Sequence, residues 1–272
     1  MNNINIKNIT TSDKNFNCFL CNFKCSKRHY YQNHLFKEHK LDLKLNNFRN
    51  NLEKFNEKKE MDVKRRVGKI LKKINNPCIF FDIGSSDGIF TNEVLKRRKN
   101  SIFYLFEPFK LDYDKSVERF KKNNNVMIHN FGLSSRVTRK QLYSVYGDKD
   151  FGIKTISKSI IKMGASDIID ETIVCVTLDK FCSYNKIDQI DFVKIDTDGS
   201  EYLIVEGFME TIKRLKKKPN ILLKLKWGSR HPEWEHYKKM FNDLLEIGYL
   251  GFNFDYIRDD SYLLIEPSEV EM

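Results

Sequence analysis

Residues 77–272 predict an α/β domain built on a mostly parallel sheet, preceded by a small cysteine-histidine unit. Three observations carry this expectation. From Pro77 onward, short apolar runs alternate with charged segments of helical periodicity, the pattern of strands joined by crossover helices. The first apolar run ends in the glycine turn Gly84-Ser85-Ser86-Asp87-Gly88. Two later runs end in acids, Glu107 and Asp196, which puts charge at the edge where open α/β sheets bind ligands.

Each element has its own reason. Cys78–Ile83 is short, apolar and rich in β-prone residues, hence a strand, and Gly88–Arg98 follows as a helix. Ser101–Phe106 and Val126–Asn130 read as strands around the charged helix Lys110–Lys122. Residues 133–175 are less regular, with β-prone runs at Gln141–Tyr146 and Thr172–Thr177. Leu178–Tyr184 reads as a short helix, Ile190–Ile195 as a strand, and another helix follows Gly199. Ile221–Trp227 is a strand, Glu233–Ile247 a long helix, and Gly251–Tyr256 with Tyr262–Ile265 a terminal strand pair. There is no internal repeat.

The 272 residues are 40% apolar and 31% charged, an ordinary balance for a packed core. No run approaches the roughly 18 apolar residues of a membrane helix. Met1–Thr11 is Asn-rich and lacks the apolar stretch of a secretory signal. An intracellular, soluble protein, cytoplasmic or nuclear and without a membrane partner, is expected. The net charge of +11 is unevenly placed: residues 1–75 hold 18 Lys/Arg against 7 Asp/Glu, while the rest balance at 30 each. That excess either draws the first quarter toward a polyanion or is a solvated basic linker. Both readings stand, because an Asn- and Lys-rich composition inflates lysine without selection for binding.

The glycine turn excludes one ligand class. A dinucleotide-binding turn needs glycines at 84, 86 and 89, and Ser86 and Ile89 occupy two of those positions. The acid-x-Gly-x-x-x-Gly pattern from Asp82 to Gly88 suits a nucleotide cofactor with no diphosphate to cradle. Glu107, 19 residues beyond Gly88 at the end of the second strand, is placed to accept hydrogen bonds from both hydroxyls of a ribose. A helix-terminal acid stabilised by the macrodipole would occupy the same position. In Lys194-Ile195-Asp196-Thr197-Asp198-Gly199-Ser200-Glu201, a helix cap accounts for one polar residue but not for Lys194, Asp196 and Glu201 together.

Phe81-Asp82-Ile83-Gly84-Ser85-Ser86-Asp87-Gly88, Phe106-Glu107-Pro108, Thr177-Leu178-Asp179-Lys180-Phe181 and Val193 through Glu201 together resemble the FkbM family of methyltransferases over roughly residues 77–266. The resemblance implies a class I methyltransferase fold, Rossmann-like with a mostly parallel seven-stranded sheet, and S-adenosylmethionine-dependent O-methylation. It makes Asp82, Gly84, Ser85, Asp87, Gly88, Glu107 and Asn130 the candidate cofactor contacts. Asp196 is the first catalytic candidate, with Lys194 and Glu201 behind it for substrate or ion-pair roles. His129 is read as a strand histidine. One departure stands out: where the family often carries Glu in the strand after Asn220, this chain has Lys224.

Near the N-terminus, Cys18-x2-Cys21 and His34-x4-His39 are separated by twelve residues, the spacing of a two-Cys/two-His zinc finger of ββα type. Metal binding would supply the folding energy that so short a unit lacks. Cys25 and Tyr31 replace the usual core residues, and Lys27, Tyr30 and Asn33 would face bases in the finger's docking mode. The expected organisation is therefore a disordered segment 1–15, a finger 16–40, a basic helical linker 41–76 and a methyltransferase domain 77–272. Three functions remain open: O-methylation of a sugar or similar small-molecule or glycan hydroxyl; methylation of nucleic acid delivered by finger and linker; or a finger that binds nucleic acid or protein beside a degenerate enzyme domain.

Overall fold

Alternate residues after Pro77 enter opposite cores: Phe80 packs with Phe103, Leu105 and Phe192, and Phe81 with Phe106, Phe181 and Val193. That is the period of a strand buried on both faces. The computed structural model describes residues 16–17, 24–25, 76–145, 153–157, 166–225, 231–253 and 260–265. The chain divides into two units, Met1–Met61 and Asp62–Met272.

In the first unit, β1 (Phe16–Asn17) pairs antiparallel with β2 (Lys24–Cys25), Phe16 opposite Cys25. The predicted zinc ligands Cys18, Cys21, His34 and His39 lie outside the described residues, as do the linker helices expected over 41–75.

The second unit is built on a sheet of seven strands. Five are parallel: β3 (Ile79–Ile83), β4 (Ile102–Phe106), β5 (Val126–His129), β10 (Phe192–Ile195) and β11 (Asn220–Leu225). Two more, β12 (Leu250–Asn253) and β13 (Asp260–Ile265), close one side, with β13 antiparallel to both of its neighbours. The order is β12-β13-β11-β10-β3-β4-β5, so a mostly parallel Rossmann-like sheet is what forms. Helices α1 (Ile89–Leu95) and α2 (Lys110–Phe120) cover one face through Val94, Leu95 and Phe120. The other face is covered by α3 (Leu178–Tyr184), α4 (Glu201–Glu206), α5 (Met209–Arg214) and α6 (Trp234–Glu246).

The irregular stretch 133–175 forms a second sheet. It contains β6 (Gly132–Leu133), β7 (Thr138–Val145), β8 (Ile153–Thr155) and β9 (Ser166–Val176), in the order β6-β9-β7-β8. The register of β7 on β9 shifts between Gln141 and Tyr143, and such an irregularity breaks the alternation by which a strand is read from sequence. The helix expected after Gly199 is two short helices. They meet at Gly207, where a Cβ would lie 2.3 Å from the Ser134 carbonyl oxygen, so α4 and α5 bend around the start of the second sheet.

Candidate active site

Strand order reverses between β10 and β4, on either side of β3, and the carboxyl ends of these strands form the crevice where such sheets bind ligands. The turn after β3 is set by its neighbours. Gly84 has φ 72°, and a Cβ there would lie 2.0 Å from the Asp196 carbonyl oxygen, so only glycine lets the two strand ends meet backbone to backbone. The turn's amides are used within the protein. Gly84 and Ser85 N–H donate to the Phe106 carbonyl at 3.0 and 3.2 Å, and Gly88 N–H to the Ser85 carbonyl at 3.0 Å. Ser86 N–H donates to Glu107 Oε2 at 2.8 Å. With these amides engaged, the turn lacks the nest that a diphosphate requires, in accord with serine and isoleucine at 86 and 89.

Glu107 is fixed at both oxygens. Oε2 holds Ser86, and Oε1 accepts from Phe109 N–H at 2.9 Å. Burial pushes its pKa up to about 7, against the opposing pull of these two amides. An ionised carboxylate has about four lone-pair directions, so each oxygen retains acceptor capacity for one hydroxyl of a vicinal pair. This donor-acceptor chemistry fits a ribose. Asn130 ties the neighbouring strand ends together, its Nδ2 donating to the Glu107 and Pro108 carbonyls at 3.0 Å each. Asp87 is engaged at the start of α1, accepting from Ile89 N–H at 3.4 Å, and pairs with Arg119 at 3.2 Å.

Asp82 and Lys194 stand opposite each other on adjacent strands. Asp82 is fully buried. Its Oδ1 accepts from Lys194 Nζ at 2.7 Å and its Oδ2 from Thr91 Oγ1 at 2.7 Å. Lys194 also donates to the Gly84 carbonyl at 3.0 Å. A buried ion pair persists only with its remaining hydrogen bonds satisfied, and here those bonds fasten the turn to β10.

Asp196 is more open, its side chain 20% exposed, and Lys224 Nζ lies 3.1 Å from its Oδ2. Lys194 Nζ is 3.9 Å from the same oxygen. The Asp196 carboxylate therefore lies within ion-pair distance of two ammonium groups on adjacent strands. Sequence reading singled out Lys224 as a departure but did not bring it to Asp196, because contact between strand ends depends on register.

Glu201 closes the turn that follows Asp196. Its Oε1 accepts from Thr197 N–H at 3.1 Å and Gly199 N–H at 3.0 Å, and its Oε2 from the Tyr237 hydroxyl of α6. Burial raises its pKa. The turn contains Asp198 at φ 55° and Gly199 at φ 106°, left-handed conformations that need such support. His231 adds to it. Its Nδ1 accepts from Glu233 N–H at 3.0 Å, so Nε2 bears the proton and donates to the Gly199 carbonyl at 3.2 Å. Burial lowers its pKa. Neither His231 nor Tyr237 was foreseen, since no local motif marks a residue that supports a turn some 30 positions earlier.

His129 stacks on Phe106 at 5.2 Å and meets Phe181 edge-on at 4.9 Å. Burial lowers its pKa, and its buried Nε2 has no hydrogen-bond partner. The hydroxyls of Ser85 and Ser200 are likewise buried without one. Among the described residues, no group of three or more His, Cys, Asp or Glu side chains is placed to hold a metal ion. No described helix is long and apolar enough to cross a membrane.

No curated protein matches this chain. Solved structures resemble it at low identity. The precorrin-6y C5,15-methyltransferase of Geobacter metallireducens GS-15 is 12% identical over 73% of this chain and 84% of that one, with a TM-score of 0.41. A putative rRNA-methylase from Clostridium thermocellum is 9% identical over 74% and 91%, with a TM-score of 0.44. TrmK of M. capricolum, in complex with S-adenosyl-homocysteine, is 16% identical over 74% and 66%, with a TM-score of 0.39. A family model described as the methyltransferase FkbM domain matches residues 82–256, from the buried Asp82 through the last helix. The chain therefore belongs to the FkbM family of S-adenosylmethionine-dependent methyltransferases.

Proposed function

We propose that this enzyme methylates a hydroxyl oxygen of a sugar or a similar small metabolite, with Asp196 facing the acceptor and Glu107 holding the donor's ribose. The observation that carries this reading is the pair of carboxylates at the switch point. Glu107 is fixed by two amides and retains acceptor capacity, while Asp196 is partly exposed at the end of the adjoining strand. S-adenosylmethionine supplies an electrophilic methyl group on a sulfonium. What remains for the chain is to hold donor and hydroxyl in line, and alignment alone supplies several kcal/mol of a two-reactant barrier.

In this reading Asp196 accepts a hydrogen bond from the acceptor hydroxyl and aims its oxygen. A free aspartate has a pKa of about 3.9 and is a weak base near neutrality, so orientation is its main task and the proton leaves to solvent as the C–O bond forms. Lys224 fixes the Asp196 carboxylate and presents a cation beside the acceptor, which favours acceptors carrying an electronegative or anionic group. Asp82, Lys194, Glu201 and Asn130 hold the turns in place without touching a reactant.

The basic first quarter of the chain favours a second reading, in which the hydroxyl belongs to a nucleic acid delivered by that segment. Incubation with methyl-labelled donor and, in separate reactions, glycans, nucleosides and RNA tests both. Label on glycan or small-molecule acceptors supports the first reading. Label on RNA alone replaces it with the second.

A further inference from the structure

The edge of the sheet opposite the candidate active site is basic. The five parallel strands all begin there, so the segments that leave helices for strands gather on one side. Lys96-Arg97-Arg98-Lys99 precedes β4, Lys121-Lys122 precedes β5, and Lys216-Lys217-Lys218 precedes β11. These three runs contain no acid. On the opposite edge, the turns after β3, β4 and β10 carry Asp87, Glu107, Asp196 and Asp198 and no cation. The second unit is therefore polarised from edge to edge.

The densest part lies where α3 and α5 end. Lys213, Arg214, Lys216 and Lys217 are exposed, as is Lys186 in the loop after α3. Arg214 Nη2 donates to the Ile187 carbonyl at 3.2 Å, which joins the two loops into one surface. Beside Lys186, the last residue of α3 is Tyr184, 88% exposed. The acids nearby are few: Glu210 lies 3.7 Å from Lys213, Asp191 accepts from Ile79 N–H at 2.7 Å, and Asp188 is exposed. Cations at helix C-termini are favoured by the helix dipole, which accounts for Lys213 and Arg214. It does not account for Lys216 and Lys217 beyond the helix end, nor for a bare aromatic ring among them.

We propose that this edge is a docking surface for single-stranded nucleic acid, with Tyr184 stacking on a base and Lys186, Lys213, Lys216 and Lys217 meeting phosphates. A cationic track with an exposed aromatic is the combination that binds single strands with little sequence preference. A membrane surface is the poorer match, because these loops expose no aliphatic residue to insert. From β11 to β5 the edge spans four inter-strand steps, about 19 Å, room for a few nucleotides. A five-residue strand separates it from the candidate active site by about 16 Å, so the bound strand is a docking partner rather than the methyl acceptor. The inference does not depend on which hydroxyl is methylated.

The test is fluorescence anisotropy of a labelled twelve-nucleotide oligouridylate with the full-length protein over a salt series. The wild type is compared with the Lys216→Gln/Lys217→Gln double variant and with Tyr184→Ala. Because all three proteins keep the basic first quarter, differences report this edge alone. The double variant is expected to bind at least fivefold more weakly and to lower the slope of log affinity against log salt by about 1.4, at about 0.7 for each phosphate no longer neutralised. Tyr184→Ala is expected to bind at least fivefold more weakly with the slope unchanged. Failure of the wild type to bind, or equal binding by all three, overturns the proposal. So does binding to phosphatidylserine vesicles that the same substitutions abolish while the oligonucleotide is unaffected. Unchanged donor affinity in the variants shows that the opposite edge is intact.

Discussion

Lys224 Nζ lies 3.1 Å from Asp196 Oδ2, joining the ends of β11 and β10 at the partly exposed part of the candidate active site. Asp196→Asn keeps the shape and removes the charge, so turnover is expected to fall about a hundredfold while donor affinity holds. Lys224→Met removes the fixing cation and is expected to raise the acceptor KM about tenfold with a smaller change in kcat. Steady-state kinetics on the acceptor identified by the labelling screen separates the two effects.

Glu107 predicts a pH dependence of defined sign. Its folded pKa, raised by burial from 4.5 to about 7, means that the folded state binds more protons than the unfolded state between those values. Its contribution to stability therefore falls as pH rises from about 4.5 to about 7 and levels off above. Donor binding runs the other way, because only the ionised carboxylate accepts from both ribose hydroxyls. Between pH 6 and pH 8 donor affinity is expected to rise several-fold. In Glu107→Gln both trends flatten. Thermal unfolding and calorimetry of the two proteins across that range provide the comparison, in which the buried histidines, common to both, cancel.

The Asp82–Lys194 pair is expected to act on stability rather than on chemistry. Lys194→Met leaves a buried carboxylate without its cation, a loss of about 3–5 kcal/mol. Adding Asp82→Asn is expected to restore much of it, since the uncompensated charge is then gone. Urea unfolding of the single and double variants measures the recovery. A double variant no more stable than Lys194→Met shows that the pair is not the source of the loss.

Two glycines with positive φ give a steric contrast. Gly84→Ala drives a Cβ to 2.0 Å from the Asp196 carbonyl oxygen, whereas the space around Gly248 is open to 4 Å. Gly248→Ala is expected to cost only backbone strain, about 1–2 kcal/mol. Gly84→Ala must also separate two strand ends, and is expected to lose several times as much, with donor binding lost alongside. Melting curves of both variants test the ordering.

Much of this architecture is legible in the chain because local chemistry determines it. The alternation of Phe80 and Phe81 between two cores, the αL glycines at 84 and 88 and the Thr177 cap of α3 are all local features, and the predicted Leu178–Tyr184 helix matches the observed one. The second sheet is less legible because its long strands are interrupted by an irregular register. At the site, residue types showed which carboxylates gather at the edge but not how they are used. The ion pair of Lys194 with Asp82, the approach of Lys224 to Asp196 and the clasp of Glu201 with Tyr237 join elements 28 to 112 residues apart. Strand register and helix packing create them, and no local spacing encodes either.

The central claim is that the turn after β3 and Glu107 form the donor site while Asp196 serves the acceptor. Calorimetric titration of S-adenosylhomocysteine into wild type, Glu107→Gln and Asp196→Asn at pH 7.5 tests it most directly. The account predicts at least a tenfold loss of affinity for Glu107→Gln and wild-type affinity for Asp196→Asn. Wild-type binding by Glu107→Gln, in a protein that melts as the wild type does, would contradict it.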